Sequence, residues 1–368
     1  MNNFFQGFIE STFDVVGCLL DTCRKAQKNC HIYLFGCGGI GVLVLDALRR
    51  NGIEPFAFSS NDTNLINMTI RGLKVVSFEN MIADSSKFII ISTLTSKYIE
   101  EMADQLHQNG VYDYHYSFGI PLYDRWATDI STFSKHYSEL DFTLNLLNDD
   151  LSKKVFCASI NAKINGSIIN DRELLSDNPI FLDNILSFNE NEVYFDIGAY
   201  TGDNALRFLS RVRNAKIFSF EPDPFNYSKC LENTNNDPRI TIFPYGCGEF
   251  SEKLSFVLRE APNTSLLSQA QTRDQNEKIL ECNIVRLDDY IEHFPTFISM
   301  DIEGGELSAL KGAKKIIAEL KPKLAVALYH NAADFWEIPR YLLNLRPDYE
   351  FYVRTSHFGG ESCVGYFI

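Results

Sequence analysis

The chain has 368 residues, enough for two or three domains at roughly 150 residues each, and its 45% hydrophobic and 22% charged shares exclude a disordered polypeptide. Lys plus Arg number 34 against 48 Asp plus Glu, a formal net charge of -14 that repels a phosphate backbone and argues against a nucleic-acid partner. Nine cysteines with no C-x-x-C spacing point to reduced thiols, not to a disulfide framework or zinc ribbon. The start MNNFFQGFIE carries no basic leader, and no segment approaches the ~20 apolar residues of a membrane span. The expectation is a cytoplasmic protein without integral membrane contact.

Residues 4–20 place Phe5, Phe8, Ile9, Val16, Leu19 and Leu20 at mostly three- and four-residue spacings, so residues 1–30 are predicted as a helix packing on a first domain. From His31 the chain reads strand, glycine loop, helix (HIYLFG, CGGIG, VLVLDALRRNG), followed by the apolar run EPFAF. KFIIIS, a helix-like stretch from Lys97 to Asn109 and VYDYHY continue the alternation, which predicts a small parallel, Rossmann-like α/β domain over 31–120. Residues 121–190 turn polar and helical, with Phe133, Tyr137, Leu140, Leu144 and Leu147 on one face, and read as a helical bridge. From 191 to 368 a second alternation runs through EVYFDIG, AKIFSFEP, RITIFPYG, TFISMDIEGGE, KLAVALYH, YEFYVRTSHF and CVGYFI. Seven strands, as five βα-type units and a terminal hairpin, form the chain order of a class I methyltransferase sheet.

In the first domain Gly36, Gly38 and Gly41 spell G-x-G-x-x-G between strand and helix, the context of a dinucleotide fingerprint. The second strand should then end on an acid, but FAFSSND puts Ser59 and Ser60 there, with Asp62 following too late. This argues against NAD(P) and favours a structural or oligomerising role.

In the second domain FDIGAYTGD sets Asp196, Gly198 and Gly202 beyond an apolar strand and before a helix, where backbone amides can approach a ligand. Glu221 follows 25 residues after Asp196, beyond the next strand, and an acid there can accept both hydroxyl protons of a ribose. Pro222 and Pro224 fix its turn. Asp301, Glu303 and Glu306 crowd a strand-to-helix junction, where they can bind hydroxyls, hold a hard cation or raise one another's pKa. His330 closes LAVALYH, and if that strand lies beside the one ending at Asp301 both residues share one carboxyl rim. A histidine is suited to accept a hydroxyl proton near neutral pH, and His357 in TSHFGGE is the rival base. Tyr200, Tyr245 and Trp336 are candidate aromatic lining.

Together DIGAYTG, EPD at 221–223, RLDD at 286–289 and SMDIEGGE at 299–306 with LSALKGA make residues 190–368 resemble the FkbM family of S-adenosylmethionine-dependent methyltransferases. The resemblance implies S-adenosylmethionine as cofactor, with Asp196, Gly198 and Gly202 flanking its methionine part and Glu221 on its ribose. The cofactor set expected is therefore Asp196, Gly198, Tyr200, Gly202, Glu221 and Tyr245, and the catalytic set His330, Asp301 and Glu303. No metal ligand is assigned, because oxygen ligands without partner residues elsewhere are weak evidence. The reading is an O-methyltransferase acting on a small-molecule or glycan hydroxyl, with a sugar as the expected acceptor, in a chain compatible with a homo-oligomer. Two competing readings are an NAD(P)-dependent nucleotide-sugar oxidoreductase and a non-catalytic cofactor- or glycan-binding module. No Tyr-x-x-x-Lys constellation follows the fingerprint, which disfavours the oxidoreductase.

Overall fold

The structure is a computed structural model and describes residues 15–93, 96–117, 132, 133, 135–165, 172–176, 181, 185–261, 264–269, 278–356 and 362–368. Two compact units divide the chain: Met1–Asp141 with Lys154–Ser176 and Thr355–Ser362, and Phe142–Lys153 with Asp177–Arg354 and Cys363–Ile368.

In the first unit α1 (Val15–Ala26) buries Leu20 and Cys23 in the core formed with Ile32, Leu34, Val44 and Leu48. The strands are β1 (His31–Phe35), β2 (Ala57–Ser60), β3 (Thr69–Ile70), β4 (Leu73–Ser77), β5 (Lys87–Ile91) and β6 (His115–Tyr116), in the order β3-β4-β2-β1-β5-β6. Helices α2 (Gly39–Arg50), α3 (Phe78–Ala83) and α4 (Ser96–Gln108) connect them. The sheet is not wholly parallel as expected: β3 and β4 form an antiparallel ribbon whose turn, Arg71 and Gly72, has φ of 52° and 79°. Two left-handed residues suit the right-handed twist of a tight hairpin. Gly41 of the fingerprint meets a packing need, since a Cβ there would stand 2.2 Å from the Gly36 carbonyl oxygen. Asp62 accepts from the Asn64 amide at 2.9 Å, so its carboxylate closes its own turn.

The segment expected as a separate bridge is shared between the units, because α5 (Tyr137–Leu146) and α6 (Asp150–Asn165) both cross the division. Leu140, Val155, Phe156 and Ile160 are fully buried, so these helices are packed elements and not exposed connections.

The second unit holds the seven expected strands: β7 (Val193–Ile197), β8 (Lys216–Phe220), β9 (Ile240–Phe243), β14 (Phe297–Met300), β15 (Lys323–Ala327), β16 (Phe351–Arg354) and β17 (Val364–Phe367). Their order is β16-β17-β15-β14-β7-β8-β9, with β17 antiparallel to both neighbours and the remaining pairs parallel. Helices α7 (Asp203–Arg211), α8 (Pro224–Asn233), α9 (Glu306–Gly312), α10 (Lys314–Leu320) and α11 (Asp334–Leu345) make the crossovers. The core stacks Tyr194 on Phe297 at 5.0 Å and Phe208 on Phe297 at 5.7 Å between ring centres. Each such buried ring contributes about 1.5–3 kcal/mol by leaving water. These rings hold the inner strands whose carboxyl ends carry the acids described below.

Five βα units were expected, and one is replaced. After β9 the chain builds a second sheet from β10 (Gly246–Cys247), β11 (Glu252–Ala261), β12 (Thr264–Gln269) and β13 (Lys278–Val285), ordered β10-β13-β11-β12. Cys282 on β13 lies 3.6 Å, sulfur to oxygen, from the Pro222 carbonyl, which ties this sheet to the turn after β8. Cys23, Cys30, Cys37, Cys157, Cys230, Cys247, Cys282 and Cys363 form no disulfide. No helix among the described residues is long and apolar enough to cross a membrane.

Candidate active site

Asp196 is the penultimate residue of β7 and points to the same sheet face as Tyr194, two residues earlier. It is 1% exposed, and its Oδ1 accepts from the Tyr194 hydroxyl at 2.8 Å and the Ser299 hydroxyl at 3.3 Å. Its Oδ2 closes no hydrogen bond among the described residues, and Asp196 lines a cavity of about 20 Å³ together with Gly198, Asn204, Ser299 and Asp301, room for one water. Burial, helped by the charge of Asp301, pushes the carboxyl up to about 7 against the pull of the two hydroxyls.

The chain after β7 then runs so close to the chain after β14 that only glycine fits. A Cβ on Gly198 would meet the Asp301 carbonyl oxygen at 2.1 Å, and its φ is +87°. Gly202, also at φ +87°, caps α7. Between them Tyr200 adopts φ 50°, a conformation that costs a non-glycine residue about 1–2 kcal/mol. That conformation coincides with a contact: the Tyr200 amide donates to Glu221 Oε2 at 2.8 Å.

Glu221 stands one residue past β8 and is 6% exposed. Its other oxygen, Oε1, accepts from the Asp223 amide at 2.9 Å, while Asp223 caps α8. Each carboxylate oxygen thus takes one backbone N–H and keeps a lone pair for a ligand hydroxyl. Burial pushes Glu221 up to about 7, opposed by those two amides.

Across β7 the rim continues from β14. The Asp301 amide donates to the Ile197 carbonyl at 3.0 Å, and the Tyr329 hydroxyl donates to both Asp301 carboxylate oxygens at 3.0 Å. Although 49% of this side chain stays open, loss of water around the carboxyl raises its pKa to about 6. The His330 charge pulls it down, and the charges of Glu306 and Glu303 push it up. Glu303, at φ 60°, is 37% exposed, and its Oε2 lies 3.8 Å from His330 Nε2. Glu306 begins α9 fully buried. Its Oε1 accepts from the Ile302 amide at 2.8 Å and faces His330 Nδ1 at 2.8 Å.

His330 is not at a strand end as expected. β15 stops at Ala327, and the ring sits in the bend before α11, 2% exposed. It does stand beside Asp301, with Nε2 3.4 Å from Oδ1. Its expected role as proton acceptor does not suit this environment. Burial disfavours the charge, but Glu306, Asp301 and Glu303 outweigh it and raise His330 to about 9. A ring protonated at neutral pH has no lone pair with which to take a hydroxyl proton. Glu306 moves the other way, held below its ordinary value by the His330 charge and the amides around it in spite of burial.

The fold therefore brings Asp301, Glu303 and His330 together, and places Asp196, Gly198, Tyr200, Gly202 and Glu221 on two neighbouring strand ends. Tyr245 lies beyond β9, half-buried against Phe243 with ring centres 6.2 Å apart, and Tyr200 is exposed. Trp336 is 4% exposed within α11, a core residue and not site lining. His357 lies outside the described residues. The sequence reading missed Tyr194, Ser299, Tyr329 and Asp334. Tyr194 was legible in principle, because a polar tip two residues before a buried acid shares its face. Asp334 accepts from the Asn331 amide at 2.7 Å, and burial and Glu306 push it up to about 7.

Residues 196–351 match a family model described as the methyltransferase FkbM domain. The hexuronic acid methyltransferase AglP of Haloferax volcanii is 26% identical over 129 residues, 33% of this chain and 50% of that protein. The 2-O-methyltransferase NoeI of Sinorhizobium fredii is 26% identical over 149 residues, 35% of this chain and 60% of that protein. This chain thus spans 50% and 60% of the length of these curated relatives. The crystal structure of methyltransferase FkbM from Methylobacillus flagellatus shares the fold with a TM-score of 0.67 at 21% identity, over 98% of this chain and 99% of that one. On the motifs, their placement and this match, residues 196–351 of the chain are a methyltransferase FkbM domain.

Proposed function

We propose that the protein transfers the methyl group of S-adenosylmethionine to a hydroxyl of a sugar. The observation that carries this reading is Glu221, whose two oxygens are each fixed by one backbone N–H and each keep a lone pair for the two ribose hydroxyls. Asp196 and the tight turn at Gly198 lie on the adjacent strand end, where the methionine part would pass. A rim carrying Asp196, Glu221, Asp301 and Glu303 suits a cofactor bearing a cationic sulfonium.

In the reaction the acceptor oxygen forms a bond to the methyl carbon as the carbon–sulfur bond breaks. The sulfonium becomes a neutral thioether, and the hydroxyl proton leaves. Positioning supplies most of the acceleration, provided oxygen, carbon and sulfur are in line. The half-open carboxylates Asp301 and Glu303 are placed to bind acceptor hydroxyls, and Asp301, raised to about 6, is matched to receiving a proton near neutrality. A sugar acceptor is supported by the name of one relative, a hexuronic acid methyltransferase. Retention of acids on both the cofactor and acceptor sides favours catalysis over a binding module. The first unit, with its serines at the second strand end and Asp62 engaged in its own turn, is read as structural.

The test is transfer of isotopically labelled methyl from S-adenosylmethionine to a panel of sugars, uronic acids, nucleotide sugars and glycan intermediates, with products followed by mass spectrometry. A labelled methyl ether that disappears with Asp301→Asn is expected. Label on nitrogen or carbon of the acceptor would replace the hydroxyl reading.

A further inference from the structure

Three features set His330 apart from a histidine that merely closes a cluster. It is 2% exposed, its Nε2 makes no hydrogen bond among the described residues, and its Nδ1 is already taken by Glu306 Oε1 at 2.8 Å. The ring is therefore oriented, with Nε2 aimed at the gap between Asp301 Oδ1, 3.4 Å away, and Glu303 Oε2, 3.8 Å away. Those separations are long for hydrogen bonds. They are close to the ~3.4 Å that separates two ligand atoms at a tetrahedral angle around an ion with bonds of about 2.1 Å. Asp301, Glu306 and His330 bring ligand atoms within 4.8 Å of one another, and the Tyr329 hydroxyl holds the Asp301 carboxylate through both of its oxygens.

We infer that Asp301, Glu303 and His330 Nε2 form a binding site for a divalent first-row transition cation, with Glu306 as the carboxylate that orients the histidine. A carboxylate accepting from the second ring nitrogen of a ligating histidine is the usual support of such a site. One imidazole with two carboxylates selects manganese or zinc over magnesium or calcium, which prefer all-oxygen sets. The sequence put Asp301 and His330 on one rim but gave no sign that Glu306 would take Nδ1 and turn Nε2 toward Asp301 and Glu303. Asp301 and Glu303 remain half-open, so the ion can be reached from solvent and keeps open positions for an acceptor hydroxyl.

The consequence for catalysis rests on the methyl-transfer reading. An ion at this rim lowers the pKa of a hydroxyl bound to it, so that the oxygen attacks the methyl carbon as alkoxide and its proton passes to water. Asp301 and His330 then act as ligands, the ion displacing the proton from Nε2, and neither of them takes the hydroxyl proton.

The test uses the full chain, stripped with chelator and titrated with manganese chloride while the free-ion signal is followed by electron paramagnetic resonance. One saturable site is expected, competed by zinc and weakened about tenfold or more in both Asp301→Asn and Glu303→Gln, positions open enough to tolerate the change. Glu232→Gln, on the exposed face of α8, should leave it unchanged. Folded wild-type protein that takes up neither manganese nor zinc at millimolar concentration overturns the inference. So does uptake that both rim variants leave intact. Calorimetry with S-adenosylhomocysteine on the same samples keeps the two claims apart: metal uptake without cofactor binding upholds the ion site and refutes the reading of the reaction.

Discussion

Replacing Glu221 by glutamine keeps shape and volume but removes the symmetry on which its role depends. The carboxylate accepts from the Tyr200 amide on one oxygen and from the Asp223 amide on the other, at 2.8 and 2.9 Å. Glutamine offers one oxygen, so its NH2 must face one of those N–H groups, donor against donor. Leaving one buried N–H unpaired costs about 1–3 kcal/mol of stability. The left-handed Tyr200, whose amide makes one of these contacts, should loosen with it. For the cofactor, two charge-assisted hydrogen bonds to ribose are lost or weakened, about 2–3 kcal/mol, or roughly 30- to 150-fold in Kd. Calorimetry with S-adenosylhomocysteine should be run well above about pH 7, where the raised Glu221 carboxyl is ionised in the wild type. Wild-type affinity itself should fall as the pH drops through that value. A folded Glu221→Gln protein that binds S-adenosylhomocysteine with unchanged Kd would refute the assignment of this carboxylate.

Thermal stability should decline as pH rises. His330, raised from 6.5 to about 9, contributes stability that is complete below about pH 6.5 and lost through about pH 9. Asp196 and Glu221, raised to about 7, hold protons that the unfolded chain gives up, so their ionisation lowers stability in the same direction. Differential scanning fluorimetry of the chelator-stripped protein should show Tm falling across this window and the alkaline part of the fall shrinking in His330→Gln, whereas an unchanged slope would mean that His330 is not charged in the metal-free fold. For the first unit, NAD or NADP at millimolar concentration should give no thermal shift, and saturable stabilisation by either would restore the nucleotide reading of Gly36, Gly38 and Gly41.

The strands of the main sheet were legible because each is a short apolar run with a glycine or proline close to one of its ends, from EVYFDIG to CVGYFI. The sheet of β10 to β13 was not. Its strands mix polar and apolar residues, as in LSFVLRE and ILECNIV, and read as connections between stronger runs. In the first unit LKVVS was missed for a similar reason, being short and preceded by a hairpin whose turn begins with arginine. At the site, chain order and strand period placed Asp196, Glu221, Asp301 and His330 on one rim. They did not reveal the charge on His330, which depends on Glu306 meeting its ring 24 residues away in sequence. A pairing made by a helix start and a post-strand bend has no periodic signature.

The most direct test of the account is a crystal structure of the protein with S-adenosylhomocysteine. The ribose hydroxyls should lie within hydrogen-bonding distance of both Glu221 oxygens, with the sulfur turned toward the rim of Asp301 and Tyr329. Adenosine bound away from Glu221, or a sulfur facing away from Asp301, would contradict the assignment of this rim to methyl transfer.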